Sequence, residues 1–476
     1  MKYELVIGLE IHCELKTKSK IFCSCPTTFG AQENENVCEV CLGLPGTLPV
    51  LNETVVEYAV RAGLALNCEI AHFSKLDRKN YFYPDLPKAY QISQYDLPLC
   101  LRGHLDITDD AGADKQVGIT RIHIEEDAGK LIHAGNSTLL DNNRCGVPLI
   151  EIVSEPDMRS AHEAEEYARK VRSILEAAGV SDCKMQEGSI RFDVNLSVRK
   201  SANDPFGTRT EMKNLNSFRA LVRAVEYESR RQIEEIESGG TIVQETRRWD
   251  DEKGISIAMR SKEDAHDYRY FPDPDLVPIV LTDDYIADIR KSLPELPHEK
   301  AARYTSELGL SKYDADLLTQ DACTSAFFDE AQKTSGNAKT SANFIIGEIA
   351  AKLKNTEDDL SSLKFTGAQL GGLVLLTDKG EINLNTAKKV LADMFETGED
   401  AAVIVERKGL KQVNDTDAIK QIVAEVVKAN PQSVEDIKNG KDKAVGFLVG
   451  QVMKQSKGKA NPQTVNELIA EVLKEL

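Results

Sequence analysis

The sequence predicts an α+β fold: a sheet-based part over roughly residues 1–291, followed by helices alone. Three observations carry this reading. Short segments alternate apolar and polar residues, capped helical periods interrupt them, and from Leu293-Pro294-Glu295-Leu296-Pro297 onward the period is helical throughout.

Leu5, Ile7, Leu9 and Ile11 share one strand face, and Gly8, Glu10 and His12 share the other. The same alternation runs from Ile190 to Val198: Ile190, Phe192, Val194, Leu196 and Val198 face one way, Arg191, Asp193, Asn195 and Ser197 the other. Such one-sided strands suit a mixed or antiparallel sheet with one face on a core and one on a wet site. Ser160 and Glu163 form a capping box ahead of Ala164, Tyr167, Ala168, Val171, Ile174, Leu175 and Ala178, and Gly179 closes that helix. A second helix carries Phe218, Leu221, Val222, Val225, Ile233 and Ile236 before Gly239-Gly240. The proline-bearing stretch sets a boundary near 291, and Lys408-Gly409 sets another, giving a helical domain at 292–408 and a small helical tail at 409–476. The last helix opens at Asn461-Pro462 and buries Val465, Leu468, Ile469, Val472 and Leu473.

A chain of 476 residues is too long for one core. Its net charge of −18 excludes a general basic coat, so an RNA partner must be met by local patches. The N-terminus reads as neither a secretory signal nor a transit peptide, and no apolar run approaches the roughly 18 residues of a membrane span. Ten cysteines in such a chain point to reduced thiols and a cytoplasmic protein without membrane contact.

Cys23-x-Cys25 and Cys38-x-x-Cys41 are two close thiol pairs joined by a short loop, as a structural zinc requires; four free thiols are the alternative. Glu10 and His12 share a face, His123 and Glu125 share another, and Glu151 interrupts the apolar run Pro148-Leu149-Ile150-Glu151-Ile152-Val153. If these groups converge they can hold Mg²⁺ or Mn²⁺ and clamp nucleotide phosphates; otherwise they are salt-bridged to Arg121, Arg144 or Lys130. Cations for phosphoryl groups are available at Arg191, Lys213, Arg260, Lys262 and Arg269, each also readable as a solvated surface charge. There is no phosphate-binding glycine motif, and no Ser-Ser-Lys or Cys-His arrangement for releasing ammonia from glutamine. The stretch Leu76–Gln94 interleaves Tyr81, Phe82, Tyr83 and Tyr90 with charges, and Pro84 and Pro87 hold it extended; it suits stacking on bases, or a structured surface loop. Near the C-terminus Lys454, Lys457 and Lys459 lie in a segment free of acids, suited to RNA phosphates or simply a solvated turn.

The Leu76–Gln94 segment resembles the signature of the B subunits of the tRNA-dependent amidotransferases. Further blocks agree: Gly8-Leu9-Glu10-Ile11-His12, Arg121–Lys130, Gly146–Asp157, Glu211–Phe218 and Asp267–Asp275. The resemblance is dense over about the first 280 residues. It implies a protein that uses ATP to phosphorylate the side-chain carboxylate of misacylated Glu-tRNA(Gln) or Asp-tRNA(Asn). Ammonia from a partner amidase then replaces phosphate, with a small third protein completing a heterotrimer. It further implies a cradle-shaped catalytic domain similar to glutamine synthetase and a tail that grips tRNA. Glu10, His12, Glu125 and Glu151 match metal-ligating positions, Lys79 and Lys88 match polar positions where ammonia arrives, and Arg191, Asp193, Lys213, Arg260 and Arg269 are the expected nucleotide contacts. The four cysteines match the zinc-bearing members, in which zinc serves no chemical step. A non-catalytic, zinc-containing tRNA-binding scaffold is the alternative, and a stand-alone ligase using free ammonia is a third.

Overall fold

The alternation of the first strand becomes the middle of a nine-stranded sheet. The computed structural model describes residues 3–261, 268–354, 360–411, 416–438, 443–456 and 462–474. The strand order is Ile255–Ser261, Glu245–Asp250, Thr210–Leu215, Ile190–Arg199, Glu4–Glu14, Pro148–Ser154, Asp114–Glu126, Cys100–Thr108 and Glu69–Ile70. Neighbours are antiparallel except Thr210–Leu215 beside Glu245–Asp250, so the sheet is mixed.

One face is apolar. Ile7, Leu9, Ile11, Ile122, Ile124, Ile150, Ile152, Phe192 and Val194 are buried in a single core with residues of the helices Glu53–Ala65, Ala161–Ala177 and Phe218–Glu237. Each helix starts on a polar cap: Asn52 accepts from the Thr54 N–H at 3.0 Å, Ser160 from Glu163 at 3.1 Å and Ser217 from Ala220 at 3.0 Å. The Ser160 box closes on one side only. The Glu163 carboxylate takes the Arg159 backbone N–H and the Lys115 ammonium instead, both at 2.7 Å, the second a charge-assisted bond stronger than one to the Ser160 amide.

Leu76–Gln94 is folded into a separate three-stranded sheet of Asp77–Asn80, Tyr90–Ser93 and Phe271–Pro272. It is tied to the end of the long strand Asp114–Glu126, where the Ile92 N–H donates to the Glu126 carboxylate at 2.8 Å. Tyr81 and Tyr90 are half-buried, whereas Phe82 and Tyr83 stand out into solvent.

The chain divides into units 1–297 and 298–476. The division falls after Pro297 because Ile289 and Leu296 belong to the first unit's core. In the second unit, buried apolar residues form one cluster between Tyr304 and Val405 and another between Ile419 and Val472. The last helix, Pro462–Lys474, buries Val465, Leu468, Ile469 and Val472, with Leu473 packed at the edge; Asn461 lies outside the described residues. Among the described residues no helix is long and apolar enough to cross a membrane.

Candidate active site

The polar face of the large sheet is organised by register. Paired residues in an antiparallel ladder point the same way, and residues two apart along a strand share that face. His12 lies opposite both Arg191 and Glu151, and Glu151 lies opposite His123. Glu125, two residues beyond His123, shares its side. Two residues back along the first strand, Glu10 lies opposite Asp193, and Glu211 pairs with Asn195.

These rows give two clusters. In the first, ligand atoms of His12, Glu125 and Glu151 lie within 4.8 Å of one another. His12 Nε2 is 3.6 Å from Glu151 and 3.7 Å from Glu125, while His123 Nε2 is 3.3 Å from Glu151 and 3.9 Å from Glu125. Burial works against a charge on His12, but the facing carboxylate of Glu151, then those of Glu125 and Asp193, raise its pKa to about 9. Burial likewise opposes ionisation of Glu151, yet His123 and His12 hold its carboxyl well below the usual range. Burial and the neighbouring Glu151 charge push Glu125 up. One imidazole nitrogen with two carboxylates, half-buried or buried, fits a hard divalent cation such as Mg²⁺ or Mn²⁺ that keeps positions for water or phosphate.

Glu10 is not in that cluster. Two residues along a strand is about 6.6 Å, which carries it to Asp193 and Glu211; these three lie within 4.8 Å of one another. Lys213 sits among them, 2.7 Å from Asp193 and 2.9 Å from Glu211. Burial disfavours its charge, but the two carboxylates more than restore it and hold the ammonium well above its usual range. Asn195 donates to Glu10 at 2.8 Å, and its buried Oδ1 has no hydrogen-bond partner among the described residues. Burial, then the Glu151 charge, raise the Glu10 carboxyl.

The other expected residues have partners of their own. Arg191 is 2.8 Å from Asp127, which also meets Arg144 at 3.2 Å. Burial and the Asp127 charge push Glu14, beside them, to about 8. Lys79 lies over the rings of Tyr268 at 5.0 Å and Tyr81 at 5.5 Å. Lys88 donates to both oxygens of the buried Glu126, at 2.5 and 2.6 Å. It stands in a cavity of about 220 Å³ lined also by Phe22, Cys41, Gly43 and Tyr90. Gly43 must be glycine: its φ is +66°, and a Cβ there would come within 2.4 Å of Lys88 Cγ. Arg269 is exposed, in left-handed backbone at φ +45°. The Arg260 side chain, Lys262, Lys457 and Lys459 lie outside the described residues. Lys454 is exposed near the end of the helix Lys443–Gln455.

The sulfurs of Cys23, Cys25, Cys38 and Cys41 lie within 4.8 Å of one another. The neighbouring Cys23 thiol outweighs burial and, with the Cys38 N–H at 3.1 Å and nearby Lys20, lowers the Cys41 thiol to about 5. Four thiol ligands closing on one point fit a structural tetrahedral zinc. The cysteines at 13, 68, 100, 145 and 183 are buried, and Cys323 is half-buried.

Periodicity places Asn195 on the polar face without a role, and the sequence gives no role to Glu211 or Glu126. Glu211 could have been assigned one, since it alternates with Lys213 about Met212 on a strand. Glu126 could not, because its role is set by Lys88, 38 residues away.

Comparison with known proteins covers both units. The family described as the GatB/GatE catalytic domain matches residues 5–287, and the GatB domain matches residues 326–473. The chain is 58% identical over 481 residues to the aspartyl/glutamyl-tRNA(Asn/Gln) amidotransferase B subunit of Caldicellulosiruptor bescii, with 100% of each chain covered. It is 59% identical over 474 residues to that of Thermoanaerobacter pseudethanolicus, covering 99% of this chain and 100% of the relative. It is 55% identical over 476 residues to that of Clostridium tetani, again covering 100% of each. The match runs through the strands that carry both clusters, the cysteine loop and the helical unit, and the chain belongs to the family of aspartyl/glutamyl-tRNA(Asn/Gln) amidotransferase B subunits.

Proposed function

We propose that this chain carries out the ATP-dependent step of tRNA-dependent transamidation, phosphorylating the side-chain carboxylate of Glu-tRNA(Gln) or Asp-tRNA(Asn) for attack by ammonia. The single observation that carries this is the pair of acidic clusters on one polar sheet face, in a member of this family. A carboxylate is inert to ammonia, whereas an acyl phosphate is a good electrophile. The protein's task is then to position two anions and neutralise their charge.

In this reading His12, Glu125 and Glu151 hold Mg²⁺ or Mn²⁺, which supplies positive charge to phosphate oxygens. Glu10, Asp193, Glu211 and Lys213 receive the nucleotide end, with Arg191, Arg260 and Arg269 on its approaches. Lys213 can turn from Asp193 to a phosphate. Lys79 and Lys88 flank the path of ammonia delivered by a partner amidase, with a small third protein completing the complex. The sheet's polar face forms a cradle like that of glutamine synthetase, the cysteine loop carries structural zinc, and the region after Lys408 holds tRNA through Lys454, Lys457 and Lys459.

The test supplies the purified complex with ATP, glutamine and each misacylated tRNA in turn. Gln-tRNA(Gln) or Asn-tRNA(Asn), formed with matching phosphate release, is the expected outcome. Binding of tRNA without phosphate release would leave only a scaffold role.

A further inference from the structure

His123 takes no part in the reading above, yet it is buried against both carboxylates of the first cluster. Arg121 Nε donates to His123 Nδ1 at 3.4 Å. A guanidinium has only donors, so Nδ1 must present its lone pair, and the ring proton is assigned to Nε2. That nitrogen faces Glu151 at 3.3 Å and Glu125 at 3.9 Å. Arg121 and His123 share a strand face, and Glu151 lies across from His123 in the ladder, so the relay is built from backbone register.

We propose that His123 is a positioning residue for the divalent cation site: held by Arg121 as the Nε2–H tautomer, it donates to Glu151 and fixes that carboxylate for ligation. The inference rests on the assignment of His12, Glu125 and Glu151 as cation ligands. It excludes His123 as a ligand, because its inward nitrogen carries a proton and its other nitrogen is occupied by a cation. A ligating carboxylate held by an outer hydrogen bond loses rotational freedom before the ion arrives, and removal of such partners costs about 10- to 100-fold in metal affinity.

The test uses the full-length chain with Mn²⁺ as probe, free ion being counted by electron paramagnetic resonance and coupled imidazole nitrogens by its pulsed form. Wild type should show one imidazole, that of His12. His123→Leu should bind Mn²⁺ about 10- to 100-fold more weakly with that single coupling unchanged. His123→Gln, whose amide can donate from the place of Nε2, should recover affinity to within about threefold of wild type. Arg121→Met frees Nδ1 to take the proton and should weaken binding about three- to tenfold; it and His123→Gln decide the matter if the leucine variant does not fold. Unchanged affinity in both His123→Leu and Arg121→Met overturns the proposal. Two coupled imidazoles in wild type, one lost in His123→Gln, overturn it by making His123 a ligand. Absence of any imidazole-coupled Mn²⁺ in wild type overturns the ligand assignment itself, and the inference with it.

Discussion

His12, Glu125 and Glu151 stand among imidazoles, whereas Glu10, Asp193 and Glu211 stand around an ammonium. The two clusters share one sheet face and similar acids, but their built-in cations behave differently. An imidazolium with a pKa of about 9 can give up its proton to make room for a divalent ion. Lys213, held well above its usual range, keeps its charge and can only swing aside. The first cluster is therefore suited to a resident ion. The second is suited to a partner that brings its own negative charge, as a phosphate does.

The largest effect should come from the first cluster. Glu151→Gln removes a carboxylate that His12 and His123 both face, and the ATP-dependent step should fall by about 10³-fold or more. Any glutaminase activity of the purified complex, assayed alongside, should survive. Retention of most phosphate release would mean that the second cluster does the chemistry alone.

Proton linkage separates the clusters next. Ligation needs neutral His12, which holds a proton up to about pH 9. Mn²⁺ affinity should rise about tenfold per pH unit between pH 6.5 and 9, then level off. A flat profile would remove His12 from the ligand set. In the ion-free protein the sign reverses. A histidine whose folded pKa exceeds its unfolded value of 6.5 stabilises the fold fully below pH 6.5, and that contribution is lost as pH rises through about 9. Urea unfolding across this range checks it.

The third test addresses the ammonium. Lys213→Met leaves three carboxylates facing one another and should cost about 1–2 kcal/mol, a figure discounted for the partial exposure of Lys213. Millimolar Mg²⁺ should return much of the lost melting temperature, because an ion can then replace the ammonium. No loss and no response to Mg²⁺ would erase the distinction drawn between the clusters.

The smallest effects on chemistry should come from outside the sheet face. Cys38→Ser should lower the melting temperature of the first unit while changing kcat by less than about twofold, if the sulfurs hold a structural ion. Truncation near Lys408 should raise KM for tRNA and spare ATP hydrolysis. Replacing Lys454, Lys457 and Lys459 together should flatten the log–log salt dependence of tRNA binding by about one unit per lysine that meets a phosphate.

Side-chain alternation is local, so the polar face was legible residue by residue: Glu10, His12, Arg191 and Asp193 all lie where strand phase puts them. The grouping on that face was not. It depends on which residues of strands far apart in sequence become neighbours, and the register shifts between Val153 and Ser154 and between Phe192 and Val194 cannot be read from phase. Glu10 was therefore expected beside Glu125, when the row it occupies leads to Asp193 and Glu211. The cysteine loop was legible because two close pairs on one short loop leave few other arrangements. Arg191 could be read as a cation, but its partner Asp127 lies 64 residues away and only the fold reveals it.

The alternation also sets how this centre opens. Ile11 and Cys13 flank His12, Ile150 and Ile152 flank Glu151, and Ile124 precedes Glu125; all are fully buried. Their amides are locked in the central ladder, so hydrogen exchange at His12, Glu125 and Glu151 should require loss of the whole core. Around the exposed Phe82 and Tyr83, amides can exchange through local fluctuation. Most reactive groups ride on loops whose breathing a ligand must quench. The two acidic clusters ride instead on paired strands of the core sheet.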